Sequence, residues 1–229
     1  MTTIIDKKEI KCVVFDLDGT LLNTIKTITH YLNCALEGNG LPPVSEAECQ
    51  SFVGDGARML ITRAITAVGE YSDELYSRVF EHYNAAYDSA PYYLTEAYGG
   101  LLEALSALRG QGLHLAVLSN KPHFATSAAV SHFFPDLFDV VLGGRDGVPL
   151  KPDPTSLLDT ISLLGCTPDE CAYVGDSDVD MLTAVRAGVA LPIAVTWGFR
   201  SREVLYSAGG RAFADTPGEL CELIFTKNT

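Results

Sequence analysis

A chain of 229 residues with 47% hydrophobic and 20% charged residues has the make-up of a globular protein of one or two domains with a substantial core. Its 29 acidic residues against 16 Lys and Arg give a formal net charge of -13, which argues against nucleic acid or an anionic membrane as partner. No apolar run is long enough to span a bilayer, MTTIIDKKEI lacks a signal-peptide core, and the six cysteines form no CxxC pair, so a reducing, cytoplasmic setting is expected.

The first element is the run CVVFDLDGTLLNT at 12–24. Its β-branched start predicts a buried strand, yet it ends in Asp16 and Asp18 and then Gly19-Thr20. Residues 24–92 read differently, as helices: TIKTITHYLNCALEGNG, SEAECQSFV, ARMLITRAITAVG and DELYSRVFEHYNAAYDSA. Gly38 and Gly40 supply stop signals for the first of these. A helical block placed after the first strand predicts a separate inserted domain.

Strands and helices alternate thereafter. LHLAVLS (113–119), DVVLGG (139–144), CAYVGD (171–176), LPIAVTWG (191–198) and RAFA (211–214) read as strands. FATSAAVSHFF, PTSLLDTISLLG (154–165), DMLTAVRAG (180–188) and PGELCELIF read as helices between or after them. This alternation predicts an α/β fold, a Rossmann-like parallel sheet covered on both faces. The expected division is a discontinuous core, 1–22 and 93–229, with a helical cap at 23–92.

Three polar clusters then fall directly after predicted strands: DLDGT after CVVF, SNKP after LHLAVL, and GDSDVD after CAYV. Ligands of open parallel sheets bind outside the carboxyl ends of the strands. Any one cluster would pass as turn or capping chemistry; three converging on one sheet edge predict a site. Asp16, Asp18, Asp176 and Asp180 would crowd there, and each like-charge pair at about 4 Å costs on the order of 4 kcal/mol at an effective dielectric near 20. Protons, cationic side chains or a metal must offset this. Carboxylates and carbonyls without His or Cys suit a hard cation, and Mg²⁺ fits best because it keeps waters and accepts phosphate oxygens. Lys151, in the Pro-bounded segment GVPLKPDP, supplies a fixed positive charge.

Asp16-x-Asp18-Gly19-Thr20, Ser119-Asn120, Lys151-Pro-Asp-Pro and Gly175-Asp176-Ser177-x-x-Asp180 resemble the four motifs of the haloacid dehalogenase superfamily, in the family's order. The resemblance implies Asp16 as a nucleophile forming an aspartyl-phosphate and Asp18 as the acid and base of the two steps. It implies Mg²⁺ held by Asp16, Asp176 and the Asp18 carbonyl, with Asp180 in or near that set. Gly19, Thr20, Ser119 and Asn120 would bind the phosphoryl group, and Lys151 would neutralise charge. The superfamily's dehalogenases lack the second aspartate, so Asp18 points to phosphoryl transfer.

The helical block resembles the family's C1-type cap, and SFVGDGARMLITRAI (51–65) resembles the cap segment of the phosphoglycolate phosphatase group. Gly54, Asp55, Gly56 and Arg58 are therefore candidate substrate contacts, Arg58 as a cation opposing the helix dipole unless an anion sits beside it. Ala97-Tyr98-Gly99 and Asn23 depart from the group's usual residues. The reading is a phosphatase acting on a small phosphomonoester, best matched by 2-phosphoglycolate, as a monomer or homodimer. A phosphomutase of the β-phosphoglucomutase type, a sugar-phosphate or nucleotide phosphatase, and a receiver-like phospho-aspartate signalling module are the alternatives. Hinges are expected near Leu22–Asn23 and Ala90–Tyr92.

Overall fold

The computed structural model describes residues 9–227. Strand β1 (Cys12–Phe15) opens the chain and leads into a two-residue strand β2 (Leu22–Asn23). Four helices follow: α1 (Ile25–Glu37), α2 (Glu46–Phe52), α3 (Gly56–Val68) and α4 (Asp73–Ser89). A second short strand, β3 (Glu96–Ala97), pairs antiparallel with β2, so the outgoing and returning chains are stitched together between the helical block and the sheet.

The rest alternates as predicted: α5 (Leu101–Gly110), β4 (His114–Pro122), α6 (His123–Phe133), β5 (Val140–Gly144), α7 (Thr155–Leu163), β6 (Cys171–Gly175), α8 (Asp178–Ala187), β7 (Leu191–Val195), α9 (Arg202–Ser207), β8 (Ala212–Ala214) and α10 (Pro217–Lys227). Six strands form one parallel sheet in the order β5-β4-β1-β6-β7-β8. Helix α5, the β2–β3 ribbon and α9 are elements the hydrophobic pattern did not single out. The ribbon is too short for a period-two signal.

Alternation along β1 serves both faces. Val13 and Phe15 join Leu115, Val117, Ala172, Val174, Ile193 and Val195 in a core closed by α5, α6 and α10. Cys12 and Val14 face the other way, with Ala116, Leu118, Cys171 and Tyr173, against α7 and α8. Strands buried on both sides have no polar position except at their ends. The helical block has its own apolar cluster, including Leu32, Leu36, Ile61, Ile65, Val79 and Tyr83. Ser45 and Ser72 cap α2 and α4, each accepting a backbone N–H of the first turn. Among the described residues no helix is long and apolar enough to cross a membrane.

Candidate active site

Because β1, β4 and β6 are neighbours in register, their carboxyl ends deliver Asp16, Ser119 and Asp176 to one place. The cleft there is lined by Asp16, Asp18, Ser119, Asn120, Lys121, Lys151 and Asp176 from the sheet side. Val53, Gly54, Gly56, Ala57 and Leu60 line it from the helical block.

Lys151 is the hub. Its Nζ lies 2.7 Å from Asp16 Oδ1 and 2.7 Å from Asp180 Oδ1, and also donates to Tyr173 Oη (3.1 Å) and the Leu118 carbonyl (3.2 Å). Burial alone would lower its pKa, but Asp16 and Asp180 outweigh that and hold it well above the usual ammonium range, so it stays charged. The backbone N–H of Lys151 donates to Asn120 Oδ1, while Asn120 Nδ2 donates to the carbonyls of Lys151 and Gly54 (2.9 Å each). Asn120 thus ties the lysine loop, the sheet edge and the helical block together.

Asp180 is fully buried and all its acceptor capacity is taken. Tyr173 and Lys151 donate to Oδ1; the Ser177 hydroxyl and N–H donate to Oδ2. It anchors Lys151 from behind and opens α8 through a reciprocal cap with Ser177.

Asp176 is held by other means. Thr20 Oγ1 donates to Oδ1 at 2.9 Å and the Phe199 N–H to Oδ2 at 2.7 Å. No ammonium or guanidinium among the described residues makes an ion pair with it, and burial, then proximity to Asp180, raises its pKa to about 7. Burial likewise drives Asp16 well above the usual carboxylate range, against the pull of Lys151. Backbone packs tightly here: a Cβ at Gly19 (φ 91°) or at Gly198 would collide with the Asp176 carboxylate.

Asp18 faces the same cleft and meets Lys121, whose Nζ lies 3.2 and 3.4 Å from its two oxygens. On its other side the ammonium sits 4.8 Å from the centre of the Tyr87 ring of α4. Arg200 fastens the block from the far wall. Its terminal nitrogens donate to the carbonyls of Gln50 (2.6 Å) and Val53 (2.5 Å), its Nε lies 3.4 Å from Asp178, and Gln50 returns a bond to the Phe199 carbonyl.

Four expectations need correction. Gly19 spends its N–H on the Leu22 carbonyl (2.8 Å) and lies outside the lining, its part being the close approach to Asp176. Thr20 is fully buried and spends its hydroxyl on Asp176, so it orients that carboxylate and does not line the cleft. Asp55 turns to Arg63, 2.6 Å away, outside the lining. Arg58 is exposed with its guanidinium 5.5 Å over the Tyr76 ring, because a cation on the outer face of α3 finds an aromatic face there and water around it. Lys121, Arg200 and Phe199 are site residues that the sequence reading does not name, whereas the Trp197-Gly198 pair resembles a family loop near the site. Trp197 donates to the Thr20 carbonyl (3.0 Å) and packs on the core, a structural role.

An acidic strand-end cluster with a buried lysine, on a parallel sheet interrupted after its first strand by helices, defines the class. The family model for haloacid dehalogenase-like hydrolases matches residues 13–194, and the chain belongs to that family. Its relatives place it on the family's phosphatase branch. It is 39% identical over 198 residues to the phosphoglycolate phosphatase of Cereibacter sphaeroides strain ATCC 17025, covering 84% of this chain and 88% of that one. It is 33% identical over 223 residues to that of Vibrio vulnificus strain YJ016, covering 95% and 97%. The crystal structure of a predicted phosphoglycolate phosphatase from Haemophilus somnus superposes with a TM-score of 0.88 at 27% identity, over 94% of this chain and 98% of that one.

Proposed function

We propose that the protein is a Mg²⁺-dependent phosphatase of small phosphomonoesters, with 2-phosphoglycolate as preferred substrate, working through an aspartyl-phosphate on Asp16. The observation that carries this reading is the pairing of two carboxylates from one strand end with two different lysines: Asp16 with Lys151, Asp18 with Lys121. One carboxylate is thereby set as nucleophile and the other left at the mouth for proton transfer.

The donor set fits a divalent cation. Asp16, Asp176 and Asp180 offer oxygens within 4.8 Å of one another, all buried. Lys151 is the only ammonium among them, so negative charge is in excess. With Asp180 fully engaged, Asp16 and Asp176 are the side chains that would hold Mg²⁺, joined by the Asp18 carbonyl. When bound, the cation would neutralise carboxylate charge and polarise the phosphoryl oxygens.

The chain's own groups account for the rest. An Asp16 oxygen attacks phosphorus as the ester P–O bond breaks, and Asp18 gives its proton to the departing alkoxide. Asp18 then takes a proton from water, whose oxygen attacks the same phosphorus; the bond to Asp16 breaks and inorganic phosphate leaves. Lys151 holds Asp16 in place and balances charge in both steps. The helical block caps the cleft and keeps bulk water from the acyl phosphate.

Phosphate release from a panel of small phosphomonoesters, with and without Mg²⁺, tests the reading, with Asp16→Asn as the control for contaminating activity. Mg²⁺-dependent turnover strongest on 2-phosphoglycolate supports it. Turnover that survives Asp16→Asn, or phosphate retained on the protein without release, overturns it.

A further inference from the structure

Tyr173 stands in the middle of β6 with none of its surface exposed, in one apolar cluster with Val14, Leu118, Leu157 and Ile161. Packing in that layer asks for a ring and no more. The hydroxyl nevertheless lies 3.0 Å from Asp180 Oδ1 and 3.1 Å from Lys151 Nζ. Tyr173 is outside the cleft lining, so whatever it does for the site it does through these two partners.

The direction of each bond follows from the protons present. An ammonium only donates, so Tyr173 Oη accepts from Lys151, and its own single proton goes to the Asp180 carboxylate. Lys151 has three N–H bonds and more acceptors than that: Asp16 and Asp180 at 2.7 Å each, Tyr173 at 3.1 Å and the Leu118 carbonyl at 3.2 Å. Two carboxylates thus compete for one cation at equal distance.

We infer that Tyr173 is a positioning residue of the reaction: its hydroxyl divides Lys151 between Asp180 and Asp16, so that the ammonium stays with the nucleophilic carboxylate and within reach of the phosphoryl group. This deepens the phosphatase reading and rests on it.

Charge sets the division. The Asp180 side chain is 1% exposed and that of Asp16 9%, so water screens the pull of Asp180 least. With Lys151 as the sole donor to its Oδ1, Asp180 would draw the ammonium inwards and away from Asp16. The Tyr173 proton gives that oxygen a second donor, while the Ser177 hydroxyl and N–H serve Oδ2. Oη at the same time holds the ammonium from a third side. Only a group that donates to one member of the ion pair and accepts from the other can do both, and a buried hydroxyl meets that need.

Tyr173→Phe removes the hydroxyl and keeps the ring, which lies 5.8 Å from the ammonium. Initial rates are measured for wild type and variant on the phosphomonoester that wild type turns over fastest, over a range of substrate and Mg²⁺ concentrations. The expected result is a fall in kcat of about ten- to a hundredfold, the effect of one hydrogen bond to a charged group, with KM and half-saturating Mg²⁺ within about twofold of wild type. A merely structural hydroxyl would leave kcat as it was, or would disturb β6 and with it Asp176, raising the Mg²⁺ requirement; either result overturns the inference. Should the variant fail to fold, neutron diffraction from deuterated wild-type crystals decides. The Tyr173 deuteron must point at Asp180 and the Lys151 deuterons at both carboxylates. A hydroxyl turned to another acceptor, or a Lys151 committed to Asp180 alone, overturns the inference. Wild type active on no ester is a different result, and it refutes the phosphatase reading itself.

Discussion

Lys151 and Asp180 form an ion pair of 2.7 Å with only 3% and 1% of their side chains exposed. The pair also reaches the proposed nucleophile, since the same ammonium lies 2.7 Å from Asp16. Lys151→Met would leave two buried carboxylates without their cation. Removing one partner of a buried pair typically costs about 3–5 kcal/mol, because the other charge is stranded. Urea denaturation should show a loss of that order, and adding Asp180→Asn should recover part of it by deleting one stranded charge. A single variant within about 1 kcal/mol of wild type would show that the network does not bear on stability.

The proposed Mg²⁺ site should be pH-dependent through Asp176. Burial first, and Asp180 second, raise its pKa from 3.8 to about 7. A carboxyl that holds its proton more tightly in the fold stabilises fully below the unfolded value of 3.8. That contribution is lost as pH rises towards about 7. Mg²⁺ needs the ionised form, so its stabilising effect should grow over the same interval. Thermal denaturation with and without saturating Mg²⁺ is the measurement. A larger rise in Tm near about pH 8 than near about pH 5 is expected, approaching 2.7 kcal/mol of stabilisation at roughly a hundred times Kd. An identical shift at both pH values would remove Asp176 from the metal site.

Gly198 offers a test with no charge change. A Cβ there would collide with the Asp176 carboxylate, so Gly198→Ala must displace either Asp176 or the loop donating from Phe199. Groups that orient a metal ligand typically matter by about 10–100-fold in affinity. Mg²⁺ titration by calorimetry should show a weakening in that range with the far-ultraviolet circular dichroism unchanged. Wild-type affinity would mean that the loop yields at little cost.

The sheet and its acidic edge were legible in the sequence because both rest on local signals. CVVF followed by Asp16 and Asp18 marks a buried strand with a polar end, and that contrast needs no knowledge of neighbours. What failed required knowing who stands opposite. The Thr20 hydroxyl meets Asp176, 156 positions away in the chain, and the residue type alone is equally suited to a phosphoryl oxygen. Lys121 falls within the SNKP cluster, but its type alone does not say which group it meets. Only α4, which lays Tyr87 across it, makes it a buried charge. Arg58 misled for the converse reason: the helix dipole disfavours a cation there by some tenths of a kcal/mol, and the Tyr76 ring offsets a term of that size.

Arg200 joins the core to the helical block next to Phe199, whose N–H holds Asp176, so closure should be coupled to the binding of the proposed Mg²⁺. Its bonds to the Gln50 and Val53 carbonyls hold the segment that leads into α3, whose Gly54, Gly56 and Leu60 line the cleft. The neighbouring Phe199 accepts from Gln50 and donates to Asp176, so one short loop touches both. Charge-assisted hydrogen bonds contribute about 1.5–3 kcal/mol each, enough to set the balance between open and closed arrangements. Arg200→Met should therefore speed amide exchange across residues 50–56 and raise KM for the preferred substrate about tenfold or more, with Tm little changed. Hydrogen exchange with mass spectrometry and initial rates check the two effects on the same sample. Unaltered exchange over that segment would show that Asn120, through the Gly54 carbonyl, is sufficient to hold the block closed.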